Sequence, residues 1–139
     1  MLFTDHGNNM SATMKVSLIQ MNSQENKAAN LSEVTRLIGS AVQEDSPYLV
    51  VLPEMFVSLG GTLDNKREAA EELPYGEAYS LLQNLAAKHS IYIHGGSLIE
   101  KVGDALYNTT VVFNPEGKEV ARYRKIHMFD ITTPDGKDY

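Results

Sequence analysis

At 139 residues, with a formal net charge of −6 and 42% hydrophobic content spread along the chain, the composition is that of a soluble domain. No apolar stretch reaches the roughly 18 residues of a membrane-spanning helix, and an acidic chain lacks the clustered Lys and Arg that phosphate binding requires; neither a membrane nor a nucleic acid is expected as a partner. The absence of cysteine excludes a disulfide scaffold and a thiolate metal site.

Residues 1–13 are polar and aperiodic, with no apolar core of the secretory kind, and read as a disordered leader or a mis-set start. Val16 to Met21 follows as a mostly buried strand. Leu31, Val34, Leu37, Ile38, Ala41 and Val42 recur at spacings of three and four, the apolar face of an amphipathic helix that Ser46-Pro47 ends. Tyr48 to Leu52 is a near-continuous apolar run, the pattern of a parallel strand covered on both faces. Asn65 and Glu68 are spaced as a capping box, with Ala69, Ala70 and Leu73 behind them, and Pro74-Tyr75-Gly76 breaks the pattern. Ala78, Leu81, Leu82, Leu85 and Ala86 mark another helix, and Ile91 to His94 another strand. Segments 97–100, 106–113 and 118–124 complete the chain with two hairpin turns, at Val102-Gly103-Asp104 and Asn114-Pro115-Glu116-Gly117.

Strand, helix and strand in succession imply right-handed crossovers between parallel neighbours, and in such sheets ligands gather beyond the carboxyl ends of the strands. Glu54 stands there, one residue past Pro53. Lys125 stands in Tyr123-Arg124-Lys125-Ile126-His127-Met128-Phe129-Asp130. Alternation puts Tyr123 and Lys125 on one face and Arg124 on the other, with Lys125 inward and Arg124 outward as an ion-pair former. Taken singly, a strand-end glutamate is ordinarily a solvated or capping carboxylate and such a lysine a surface charge. Were the two side by side, a carboxylate could take a proton from a nucleophile and return it to a leaving group while an ammonium held a developing oxyanion. Met55 and Phe56 would raise the Glu54 pKa by desolvation, and Lys125 would oppose them. Tyr107 and Asn108 read as a packed strand residue and a hairpin-organising amide. His89, His94 and His127 lack metal-site spacing, and Gly60-Gly61 and Gly95-Gly96 do not make a nucleotide fingerprint but turns where backbone comes close.

In this order, Leu52-Pro53-Glu54-Met55-Phe56, the hairpin from Ala105 to Gly117 and the segment around Lys125 resemble the nitrilase superfamily of carbon–nitrogen hydrolases, from about Met14 to Tyr139. The Ile126-His127-Met128-Phe129-Asp130 continuation is similar to the amidase branch, with the omega-amidases and deaminated-glutathione amidases. The resemblance implies Glu54 and Lys125 as catalytic residues beside a later cysteine, with no cofactor and no metal. It implies a partial α-β-β-α sandwich whose strands are shared between two sheets, leaving Leu18, Val50, Ile93 and Val111 without partners. Residues 14–139 are then expected to be the N-terminal part of such a domain, truncated before the nucleophile. The whole enzyme would be a cytoplasmic homo-oligomer that hydrolyses a small carboxamide through a thioester and releases ammonia, while this chain alone would be inactive. The other reading is a non-catalytic α/β binding module that keeps the half-fold.

Overall fold

In a computed structural model, the described residues are 13–127 together with 133, 134 and 136. Residues 1–12 of the expected leader and Met128-Phe129-Asp130 of the amidase-branch motif lie outside them. The chain runs β1 (Val16–Leu18), α1 (Lys27–Asp45), β2 (Leu49–Val51), α2 (Leu63–Ala69), α3 (Glu77–His89), β3 (Tyr92–His94), β4 (Leu98–Val102), β5 (Ala105–Phe113) and β6 (Glu119–Arg124).

Helix α1 starts where Asn26 accepts from the Ala29 amide and stops at Ser46, which takes a left-handed φ of 46° just before Pro47. The capping box of α2 sits one turn earlier than its spacing in the sequence suggested. Thr62 is the cap and Asn65 the residue that reaches back, each accepting from the other's amide. Helix α3 opens on Gly76, with no cap from its own side chain. The Glu71 carboxylate, buried and paired with Lys27 at 2.7 Å, accepts from the Ala78 and Tyr79 amides instead.

All six strands form one sheet rather than parts of two. Strands β1, β2 and β3 are parallel, in that order, and β5 lies antiparallel to β3, β4 and β6. Thr109 of β5 pairs with Leu98 on one side and Arg124 on the other, and Phe113 pairs with both Ile93 and Glu119. A strand has only two edges, so β3 and β4 share one edge of β5 and are two halves of a single strand, broken at Gly95-Gly96-Ser97.

Two crossovers of the same hand that step across the sheet in the same direction must place their helices on the same face. Helices α1 and α3 accordingly pack together over one side, and Val34, Ile38, Leu82, Val50, Ile93, Val111 and Phe113 form the core between them and the sheet. Val50, Ile93 and Val111 are fully buried, contrary to the expectation that they would lack partners. No described element covers the other face. There β1 is not the buried strand its composition suggests: Val16 is 39% and Leu18 77% exposed. The apolar run of β2 is likewise covered on one side only, with Val50 buried and Leu49 and Val51 half-buried. Among the described residues no helix is long and apolar enough to cross a membrane.

Candidate active site

The bare face meets the carboxyl ends of β2 and β3 at an open cleft of about 280 Å³, lined by Leu52, Glu54, His94, Ser97, Asn108 and Lys125 among others. Glu54 reaches it from a tight turn after β2. Met55, next in the chain, takes φ of 54°, a left-handed conformation that a side chain rarely adopts. Ser97 pins that turn: its hydroxyl accepts from the Met55 amide at 2.9 Å and its carbonyl from the Phe56 amide at 3.2 Å. Phe56 then inserts into the core with no exposed surface, so the turn is anchored at both ends. The break between β3 and β4 makes this possible. At Gly96, φ is +51° and a Cβ would collide with the Pro53 carbonyl, which explains the glycine. Gly95-Gly96 is thus a close approach of backbone, as read from the sequence.

Lys125 arrives from the far side of β5. It follows directly on β6, and its amide donates to the Asn108 carbonyl at 2.9 Å. Its ammonium donates to Glu54 Oε1 at 2.9 Å, well inside hydrogen-bond reach although 71 positions apart in the chain. The Asn108 amide donates to the same oxygen at 2.8 Å. Oε2 of Glu54 has no hydrogen bond among the described residues, and the side chain, which lines the cleft, is more than half exposed. The ammonium and the amide hold the Glu54 carboxyl below the usual range, against a desolvation that acts the other way. Desolvation by Met55 and Phe56 therefore does not govern Glu54, because Phe56 faces the core and the carboxylate stays largely solvated.

The sequence reading missed Asn108 as a member of this cluster. Its signal was the alternation along β5, which puts Asn108 and Thr110 on the face opposite Thr109 and Val111. Arg124 and Lys125 part to opposite faces, with Lys125 turned into the site and the less exposed of the two, and Arg124 in an ion pair, as the alternation predicts. Arg124 turns to the helix-covered side and meets the buried Glu100, while Lys125 and the exposed Tyr123 line the open cleft. Tyr107, expected as packing, lies against the Arg124 guanidinium at 4.3 Å. His94 lines the cleft with Nδ1 accepting from the Gly96 amide at 3.2 Å. Among the described residues no three His, Asp or Glu side chains cluster as metal ligands.

The site is thus a glutamate and a lysine converging at the strand ends of a one-sided α/β layer. The carbon–nitrogen hydrolase family model matches residues 15–139, and the chain belongs to that family. It is 42% identical over 123 residues to omega-amidase NIT2-A of Xenopus laevis, covering 88% of this chain and 44% of that protein. To omega-amidase NIT3 of Saccharomyces cerevisiae it is 37% identical over 134 residues, covering 91% of this chain and 46% of that one. The chain thus spans less than half the length of these relatives. The crystal structure of yeast Nit3, a member of branch 10 of the nitrilase superfamily, superposes with a TM-score of 0.72 at 33% identity, over 82% of this chain and 44% of that one. The Caenorhabditis elegans NitFhit protein shares the fold, with a TM-score of 0.79 at 24% identity over 91% of this chain and 31% of the other.

Proposed function

We propose that residues 14–139 are the N-terminal part of an amidase domain, supplying its Glu54 and Lys125, and that the complete enzyme hydrolyses a small carboxamide with release of ammonia. The observation that carries this reading is the shared anchoring of one Glu54 oxygen by Lys125 and Asn108. With Oε1 held, Oε2 is the oxygen available to take a proton from a thiol and later hand it to the leaving amine. A carboxyl kept below its usual range stays ionised, and so stays a base, down to lower pH than an ordinary glutamate. Lys125 keeps further N–H donors that can meet the oxyanion of the tetrahedral intermediate as it forms. The acyl-enzyme step needs a thiolate, which these 139 residues do not contain. The chain alone is therefore inactive in this reading, and its similarity to omega-amidases points to monoamides of short dicarboxylic acids as substrates.

The bare sheet face, with Leu18 at 77% and Tyr123 at 57% exposure, supports association, whether with further polypeptide of the same domain or with a second copy in a homo-oligomer. That face is also what favours the second reading, a non-catalytic module that binds through it. Ammonia release from glutaramate-like and succinamate-like monoamides separates the two. In the amidase reading the chain is silent by itself and gains activity when the remaining, cysteine-bearing part of a relative is supplied in trans. That activity disappears in Glu54→Gln. Tight association without ammonia release identifies the module.

A further inference from the structure

On the helix-covered side of β4, β5 and β6 lies a cluster that this reaction does not use directly. Glu100 is 2% exposed, yet its carboxylate is fully partnered. Arg124 donates to it through a two-pronged fork, Nε to Oε2 and Nη2 to Oε1, both at 2.8 Å. The Thr109 hydroxyl donates to Oε2 at 2.7 Å, and Arg122 stands 3.7 Å from Oε1. The Arg124 guanidinium reaches Glu100 by crossing β5 over the Tyr107 ring. One side chain thus ties three strands together at the point where β6 ends, and the next residue is Lys125.

Successive residues of a strand point to opposite faces, so fixing Arg124 on one face fixes the direction in which Lys125 leaves on the other. The backbone there is tied by the Thr109–Arg124 pair that ends the β5–β6 ladder and by the Lys125 amide on the Asn108 carbonyl, but neither fixes the Lys125 side chain. Lys125 is a flexible four-carbon stem, and among the described residues β6 has no further neighbour beyond it in this sheet. We propose that Glu100 is a positioning residue for the Glu54–Lys125 pair: through the Arg124 fork it locks the end of β6 so that the Lys125 ammonium is delivered to Glu54. The inference rests on the reading of that pair as the working part of the site. Planar bidentate pairing is what Arg supplies and Lys cannot, so the device depends on both the carboxylate and the guanidinium.

The Glu54 carboxyl is the reporter, followed by carbon-detected NMR titration in the full 139-residue chain, with Lys125→Met as the reference for a lost pair. In the unmodified chain Glu54 titrates below the ordinary carboxyl range. In Glu100→Gln its midpoint rises toward the Lys125→Met value. The sign is decisive, because removing the Glu100 charge without moving Lys125 would ease ionisation of Glu54 and shift the midpoint down. Arg124→Lys keeps every charge and removes only the fork, and it also raises the midpoint; should Glu100→Gln not fold, this variant decides alone. A Glu54 midpoint that stays low in folded Arg124→Lys, or that stays or falls in folded Glu100→Gln, overturns the proposal. An ordinary midpoint in the unmodified chain removes the pair and the proposal together. The amidase reading is judged separately, by ammonia release.

Discussion

The two faces of the sheet are made by alternate residues of the same strands, yet they serve different ends. On the helix-covered face Val50, Ile93, Val111 and Phe113 are fully buried, and Phe113 meets Tyr79 edge-on at 4.9 Å. On the other face His94, Asn108, Thr110, Tyr123 and Lys125 surround an open cleft, and Val16 and Leu18 face solvent. Stability is concentrated on the first face and reactive groups on the second. Apolar burial and charged chemistry make opposite demands on solvent, and the period of two along a strand lets one segment meet both.

The comparison breaks most visibly if residues on the two faces respond alike to truncation. Phe113→Ala should lower unfolding free energy by about 3–5 kcal/mol in urea denaturation, enough to unfold a marginal domain. Next in size is an alkaline effect on the same face. Burial and the hydrogen bond to Glu119 push the Tyr79 hydroxyl up to about 12. Below the unfolded tyrosine value of roughly 10 both states hold the proton. Between there and the folded value only the native state does, so stability falls as pH rises, by on the order of 1–2 kcal/mol. Stability measured from pH 8 upward should lose that slope in Tyr79→Phe, and an identical slope in the variant would assign it to other groups.

Smaller effects belong to the bare face. Leu18→Ser should change unfolding free energy by no more than about 0.5 kcal/mol, while self-association seen in sedimentation weakens. A cost as large as that of Phe113→Ala would mean that the face is covered in solution. Lys125→Met should leave stability within about 0.5 kcal/mol, since the pair is largely solvated. Its readout is local: the Glu54 titration rises toward the ordinary range, and a Glu54 that stays low would assign its depression to Asn108.

Much of this was legible in the sequence because local signals decide it. The three-and-four spacing from Leu31 to Val42 marks α1, Ser46-Pro47 its end, and the glycine turns the two hairpins. Glu54 after an apolar strand and Lys125 at the end of a hairpin could be singled out because the motifs around them are contiguous. The cap of α2 was misplaced by a turn because Thr62-x-x-Asn65 and Asn65-x-x-Glu68 overlap, and the choice between them depends on where the chain enters the helix. Val16 to Met21 and Tyr48 to Leu52 were read as more deeply buried than they are. An apolar run records hydrophobicity but not whether a second layer lies above it.

The sequence by itself determined the type and order of the elements, because helix and strand periods and turn residues act over a few positions; the pairing of the Glu54 and Lys125 motifs came only from the family resemblance. Only the tertiary structure decided that no described element covers one face and that Arg124 turns to Glu100 while Lys125 turns to Glu54. It also decided that Asn108 completes the cluster. Those outcomes depend on the hand of two crossovers, on the register of β5 between its neighbours, and on a break at Gly95-Gly96 that admits the Pro53 carbonyl. Each is a relation between segments far apart in the chain, settled by packing and hydrogen-bond register rather than by the preference of any single stretch.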